Sequence, residues 1–428
     1  MQIMFTILAV CLAISVPIGV ALILASLTVY ALDISPIINP KYIYNTTVDG
    51  LYSYPLLAIP LFILSGLIMA RGGIAKKLFE FFSYFTGKLT AGLPITAVIT
   101  CMFYGALSGS GPATTAAVGS MVVPYLENLG YDKRFSAAII TSAGALGVII
   151  PPSVPFIIYA LAANVSVAEM FIAGVIPGFI IAIALSVCAY LHCRKHGEDR
   201  EKLDANYQSL RAKGFLYLLK DSSWALFTPA IILGGIYGGI FTPTEAATVS
   251  VVYSIFVSMC IYKTMTWSDF PGVLAEATRA LAPLLIVVAA ATLFGRIITL
   301  LQLPTYLTGL MGGFLESPFM VIVCINLILL GCGMIVNVAS AILILTPVLL
   351  PIAVAVGMDP IHFGIMMVVN LSIGLVTPPV GADLFVACGM FHIPIATLTK
   401  YCIPFIGWFL VALGIVSYFP MVSLFFIR

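Results

Sequence analysis

The sequence predicts an all-α integral membrane protein built from two repeats, each with a re-entrant helical hairpin and a broken transmembrane helix. Three observations carry that prediction. The 428-residue chain is 61% hydrophobic and only 8% charged. Long apolar runs recur from end to end. Glycines and prolines that punctuate the first half return at one fixed offset in the second.

A soluble domain carries roughly 25% charged residues, so this chain lacks the polar surface that water requires. Mean hydropathy is +1.15. Apolar runs cover residues 3–32, 56–70, 135–150, 170–191, 280–293, 319–330 and 405–427. A helix needs about 20 residues to cross the hydrocarbon core, which leaves room for roughly ten to twelve spanning or half-spanning segments. Barrel strands are short and alternate in polarity, whereas these runs are long and apolar on every face, so helices are expected. The run 3–32 has no basic segment before it and exceeds the core of a secretory signal, so it reads as one retained helix. The nine cysteines are scattered through apolar sequence without metal-ligand spacing, as buried reduced thiols are. A formal net charge of +2 gives no sign of a nucleic-acid partner.

Basic residues near helix ends set orientation. Seven of the 19 Lys and Arg fall in one polar stretch: Arg194, Lys195, Arg200, Lys202, Arg211, Lys213 and Lys220. That stretch is expected on the cytoplasmic side. It divides the chain into a first repeat (1–193), a polar linker with an amphipathic segment (194–221) and a second repeat (222–428).

Shifting the second half onto the first by 227 positions, without a gap, superimposes Pro124 on Pro351, Gly130 on Gly357 and Asp132 on Asp359. Gly147 then meets Gly374, Pro151 and Pro152 meet Pro378 and Pro379, and Pro177 meets Pro404. In each half an apolar segment stops at small residues, Gly105-Ala106-Leu107-Ser108-Gly109-Ser110-Gly111-Pro112 or Gly331-Cys332-Gly333-Met334-Ile335-Val336-Asn337. An arm follows, 113–126 or 338–350, about 20 Å long at ~1.5 Å per residue and too short to cross. Entering and leaving arms joined by a small-residue tip make hairpins over about 90–127 and 318–355. Next comes a helix broken by Gly147 to Pro152 (about 135–163) or by Gly374 to Pro379 (about 362–391). A double proline removes two N–H donors and frees carbonyls upstream, so each helix must break there. Inverted topology of the halves is the expected arrangement, although the repeat alone does not give its direction.

Broken helices are tolerated within a membrane only where they face protein or a watery cavity, and paired interruptions point to the binding site of a solute carrier. A sodium ion that must later leave wants several hard oxygens. Freed carbonyls of both breaks supply them, and Ser108, Ser110, Asn337 and Thr377 add side-chain oxygens. Half-helix C-terminal ends favour a cation, and the helix starts after Gly111 and Asn337 offer unpaired N–H groups to an anion. The alternative is that the glycines only permit close helix packing. Packing alone does not require repeated double prolines.

Glu245, Arg296 and Asp383 stand alone in apolar sequence. Each would cost about 2.5–3.5 kcal/mol or more facing lipid, so all three are expected to face the interior or a cavity. Glu245 also suits a helix start, which is the favoured reading. Arg296 could meet a substrate carboxylate or pair with a neighbour. His362 and His392, near segment ends, read as structural.

At Ser53-Tyr54-Pro55-Leu56-Leu57-Ala58-Ile59-Pro60-Leu61-Phe62, at 105–112, at Gly130-Tyr131-Asp132 and at 147–153, the chain resembles the large membrane subunit of the tripartite ATP-independent periplasmic (TRAP) transporters. Stretches 234–247, 343–347 and 374–381 extend the resemblance to almost the whole chain. The resemblance implies an elevator-type fold of the wider ion transporter superfamily and a multi-pass protein of the bacterial or archaeal inner membrane. It also implies three partners: a small four-helix membrane subunit, a periplasmic substrate-binding protein, and a small carboxylate as cargo. No cofactor is implied beyond sodium as coupling ion. One implied sodium site uses Ser108 and Ser110 with carbonyls of Gly144, Gly147, Val148 and Ile150. A second uses the Gly331 to Asn337 tip with carbonyls from Gly374 to Thr377. Substrate is implied near Ser108, Ser153 and Asn337, with Arg296 as a further anion contact. Many members carry Asp where Asn337 stands, so a carboxylate role at that position does not transfer.

The favoured function is sodium-coupled import of an organic acid of the sialic acid or C4-dicarboxylate class. An intramembrane serine hydrolase using Ser108 or Ser110 is the alternative from another class, against which stands the lack of an adjacent base. A channel is the third.

Overall fold

A computed structural model describes residues 2–303 and 317–428. The chain is helical throughout the described residues, with no strand among them. The expected second repeat, 222–428, includes residues 304–316, which lie outside the described residues.

The predicted helix 3–32 is two helices, α1 (Gln2–Ala13) and α2 (Ile18–Ala31). Pro17 has no N–H to continue α1 and restricts Val16 before it, and Ser15 turns the chain at φ +62°. Next come α3 (Pro40–Asp49), α4 (Ala58–Arg71) and α5 (Ile74–Thr86). The first hairpin is α6 (Gly92–Ser108) and α7 (Gly111–Asn128), followed by α8 (Lys133–Gly144) and α9 (Val154–Ala163). The long α10 (Val167–His196) leads into the polar stretch, where α11 (Arg200–Ala212) buries only Leu203 and Leu210. Beyond it stand α12 (Phe215–Tyr237), α13 (Pro243–Phe256) and α14 (Phe270–Leu300). The second hairpin is α15 (Pro318–Gly333) and α16 (Val338–Ala355), followed by α17 (Pro360–Gly374) and α18 (Ala382–Phe391). The long α19 (Ile395–Tyr418) and the short α20 (Met421–Leu424) close the chain.

Six helices among the described residues are long and apolar enough to cross a membrane, and seven more are apolar but shorter. Both arms after the tips are longer than predicted, at 18 residues each. At ~1.5 Å per residue that is about 27 Å, so length alone does not bar α7 or α16 from crossing. Pro124 and Pro351 do not end these helices; they sit in the last turn or so, where neighbouring helices can satisfy the carbonyls they leave free.

Positions that coincide at the 227-residue offset have like local geometry. Gly130 and Gly357 both turn the chain at positive φ, +93° and +83°. Two residues on, Asp132 caps α8 by accepting from the Arg134 N–H at 2.7 Å, and Asp359 caps α17 by accepting from Ile361 at 2.8 Å. Each cap satisfies a helix donor that would otherwise be orphaned. Both double prolines stand between helices, and both Pro–Pro bonds are cis. After α8 a tight turn, Ala145–Val148, runs into the non-helical segment 149–153.

The two halves interlock. The first arm α7 packs on α18, and α9 packs on the second arm α16. Helices α4, α13 and α14 form a flanking layer, with α4 also touching α6. The core runs through the broken elements: from Phe135 to Ile150 and from Ile361 to Val376 every side chain is buried or nearly so.

Candidate functional site

At the first tip α6 ends on Ser108, Gly109 turns the chain at φ +59°, and α7 starts at Gly111. Three oxygens converge there. The Ser108 and Thr114 hydroxyls lie 2.8 Å apart, and both donate to the Ser110 carbonyl, at 3.2 and 2.8 Å. Ser110 therefore contributes its carbonyl to the cluster, while Thr114, one turn into α7, contributes a hydroxyl. The tip rests directly on the first break. A Cβ on Gly147 would stand 2.6 Å from the Ser110 oxygen and 2.5 Å from Thr114 Oγ1, and one on Gly105 would stand 2.7 Å from the Gly147 Cα. Glycine at these positions lets the unwound carbonyls approach the tip oxygens.

At the second tip the close approach is between Gly333 and Gly374. A Cβ on Gly374 would lie 2.2 Å from the Gly333 carbonyl carbon and oxygen. Beyond Pro379 the Val380 N–H donates to the Met334 carbonyl at 3.1 Å, tying the second break to its own tip. Asn337 caps α16, its Oδ1 accepting from the Ala339 N–H at 3.0 Å. Thr377 donates its hydroxyl to the Ile373 carbonyl at 2.7 Å, which leaves its oxygen lone pairs open.

Both tips open on one cavity of about 510 Å³, lined by Ser108, Ser110, Asn337, Ser340, Tyr104 and Leu375 among others. The Tyr104 hydroxyl is buried without a hydrogen-bond partner. Glu276 also lines the cavity, and it pairs with Arg71 at 3.0 Å. The helices that start at Gly111 and Val338 border the region between the tips, and of their first-turn N–H groups the Ala339 one is taken by Asn337 while Pro112 has none. A second cavity of about 520 Å³ lies at the polar linker. There Glu198 is already engaged by the Ala91 N–H, the Tyr131 hydroxyl and Arg200, as a structural junction would be.

Several predicted residues fall elsewhere. Arg296 is exposed on α14 and does not line the cavity. Ser153 is fully buried, donating its hydroxyl to the Val148 carbonyl at 2.5 Å and capping α9, so it braces the first break instead of facing substrate. Gly331, named for the second sodium site, stands on the exposed side of α15 with open space where a side chain would be, and Gly333 is the tip glycine that touches the second break. Val148 lines the cavity, whereas Ile150 packs against Gly178. Gly144 lies under Thr115, whose hydroxyl is 1.8 Å from the position a Cβ would take.

Of the three lone ionisable residues only Asp383 is interior. Glu245 is exposed and forms a capping box with Thr242 at the start of α13, the structural role favoured from sequence. His362 is buried, with Ser423 and the Ser417 carbonyl as ring partners. Thr114, Tyr104 and Gly333 are site residues that the sequence reading does not single out. Thr114 and Tyr104 each stand one turn from a tip serine, Ser110 and Ser108, and that spacing is the signal they carry.

Tip oxygens and two helix starts around one cavity, in an apolar helical protein, are the kind of arrangement a membrane carrier for a small solute would use. Residues 5–422 match the family described as "Tripartite ATP-independent periplasmic transporter, DctM component", and the chain belongs to that family. It is 40% identical over 427 residues to an isethionate TRAP transporter permease protein, DctMQ, of Oleidesulfovibrio alaskensis, covering 100% of this chain and 66% of that one. It is 42% identical over 371 residues to the C4-dicarboxylate TRAP transporter large permease protein of Pseudomonas aeruginosa, covering 87% and 86%. It is 34% identical over 408 residues to the sialic acid TRAP transporter large permease protein of Vibrio cholerae, covering 95% and 94%. In fold it is similar to the Alcanivorax borkumensis YdaH transporter, with a TM-score of 0.64 at 15% identity over 93% of this chain and 95% of that one.

Proposed function

We propose that the chain is the large membrane subunit of a sodium-coupled importer of an organic acid in a bacterial inner membrane. A periplasmic binding protein delivers the acid, and a small membrane subunit completes the complex. The observation that carries this reading is the single cavity onto which both glycine-paired tips open, with Ser108 and Ser110 on one side and Asn337 on the other. Sodium is held by tip oxygens and the carbonyls of the two breaks, and the acid group lies at the helix starts after the tips. Moving both tips together with the acid, in the manner of an elevator, would carry ion and solute as a unit. The acid is of the sialic acid or C4-dicarboxylate class, as the names of two relatives suggest, and a sulfonate such as isethionate presents the same anionic oxygens.

A hydrolase finds no support in the geometry, because the neighbours of the Ser108 hydroxyl are Thr114 and the Ser110 backbone, with no base among its bonded partners. In proteoliposomes holding the complete complex, uptake of the acid is expected to fall to background when sodium is replaced by potassium. Uptake that persists without sodium would refute the coupling.

A further inference from the structure

We propose that the Arg71–Glu276 pair is a charge filter at the linker-side end of the cavity, and that the balance of its two charges sets how readily anionic solutes occupy the site. Among the described residues that line the cavity, Glu276 is the one with a charged side chain. That is the wrong sign for a carrier of acids. Its carboxylate is matched by Arg71, whose Nη2 donates to Oε2 at 3.0 Å. The role of the filter in transport rests on the reading of this cavity as the place of an organic acid.

The pair stands at one end of two apolar stripes. Gly66 and Leu67 of α4 line the cavity, and Arg71, one turn beyond Leu67, is the last residue of that helix. On α14 Glu276 heads a stripe continued by Ala280 and Leu284, which share its face at steps of four. The first tip meets α4 at Gly66, where an added Cβ would lie 2.9 Å from the Ser108 Cα. Arg71 is five residues further on, about 7.5 Å along the helix axis. An acid at that tip is therefore within roughly one Debye length of the pair, about 8–10 Å at physiological salt. After Arg71 only two glycines precede α5, which the Lys77–Asp221 and Glu80–Lys213 pairs tie to the linker, the latter at 2.8 Å. The basic linker is the expected cytoplasmic side, so this is the end through which an imported acid would leave.

Both side chains of the pair are about half exposed, and such pairs contribute little to stability. Their action on a solute is larger, because apolar walls focus the field inside a cleft. With both charges present the fields nearly cancel. Glu276 alone would repel an acid, and Arg71 alone would attract it. The interaction is proportional to the solute's charge, so a dianion feels about twice the bias of a monoanion. No other base can take over from Arg71: Arg279 and Arg296, further along α14, do not line the cavity.

The experiment reads the potential at the tip end of the cavity in the purified complex. Ala113→Cys places a thiol on the lining beside the first tip. Its modification rates with an anionic sulfonatoethyl and a cationic trimethylammonioethyl methanethiosulfonate are followed by the mass of the peptide that holds position 113. Arg71→Gln is expected to lower the ratio of anionic to cationic rates about tenfold, and Glu276→Gln to raise it by a similar factor. The double variant is expected to return the ratio to within about twofold of the parent. A ratio that neither single substitution moves overturns the filter. So does a shift that the double variant fails to cancel, because it marks a changed shape and not a changed charge. In uptake, Arg71→Gln is expected to raise KM for the acid several-fold with kcat unchanged. A shifted labelling ratio with KM unaltered in both single variants would sink the reading of this cavity as the acid's place, and would leave the pair as the source of its potential.

Discussion

Gly374→Ala is expected to reduce uptake to background and to lower thermal stability, while Gly331→Ala, on the second tip but turned away from that contact, leaves uptake unchanged and does not lower stability. A Cβ at position 374 would fall 2.2 Å from the Gly333 carbonyl, where the obstacle is backbone and no rotamer change can relieve it. Overpacking in cores costs about 1–3 kcal/mol when side chains can yield, so backbone against backbone sits at or above that range. The functional loss should exceed the stability loss, because separating the tip from the break spreads the oxygens that the ion needs. At Gly331 nothing lies within 4 Å of an added Cβ, and alanine gains up to about 1 kcal/mol over glycine in a helix. Uptake and unfolding temperature of the two variants, measured side by side, separate tip contact from general glycine content.

Removing both hydroxyls of the first tip, Ser108→Ala with Thr114→Ala, should raise the half-saturating sodium concentration at least tenfold. Each factor of ten corresponds to about 1.4 kcal/mol of ion binding, within reach of two hard-oxygen ligands. Ser110→Ala should do much less, because Ser110 enters the cluster through its carbonyl, which alanine keeps. Sodium titration of uptake at saturating acid checks this. An unchanged half-saturation in the double variant would remove the first tip from the ion site.

Both expectations rest on features that are partly legible in the sequence. The double prolines announce both breaks because missing N–H groups are local and cannot be hidden by tertiary packing. The Gly–x–Asp turns at 130–132 and 357–359 are legible for the same reason, each being a positive-φ glycine followed by a helix cap. Side-chain direction is not legible. Arg296 sits in apolar sequence yet on an exposed face, and Ser153 spends its hydroxyl inside the break it follows. Gly331 and Gly333 differ by two positions, enough to turn one away from the contact that the other makes. The approach of Asp383 to Gly111 joins segments from opposite halves, and the 227-residue offset says nothing of how the halves interlock. Pro17 carries the signal for splitting residues 3–32, but unbroken hydropathy outweighs it in the sequence.

The proposed transport depends on one thermodynamic coupling, in which ion and acid would be bound by the same pair of tips around the same cavity. Sodium affinity of the purified complex, measured by calorimetry with and without saturating acid, tests this directly. Linkage requires each ligand to strengthen the other by the same factor, and shared tips predict a sodium affinity raised about tenfold or more by the acid. Equal sodium affinity with and without the acid would contradict it.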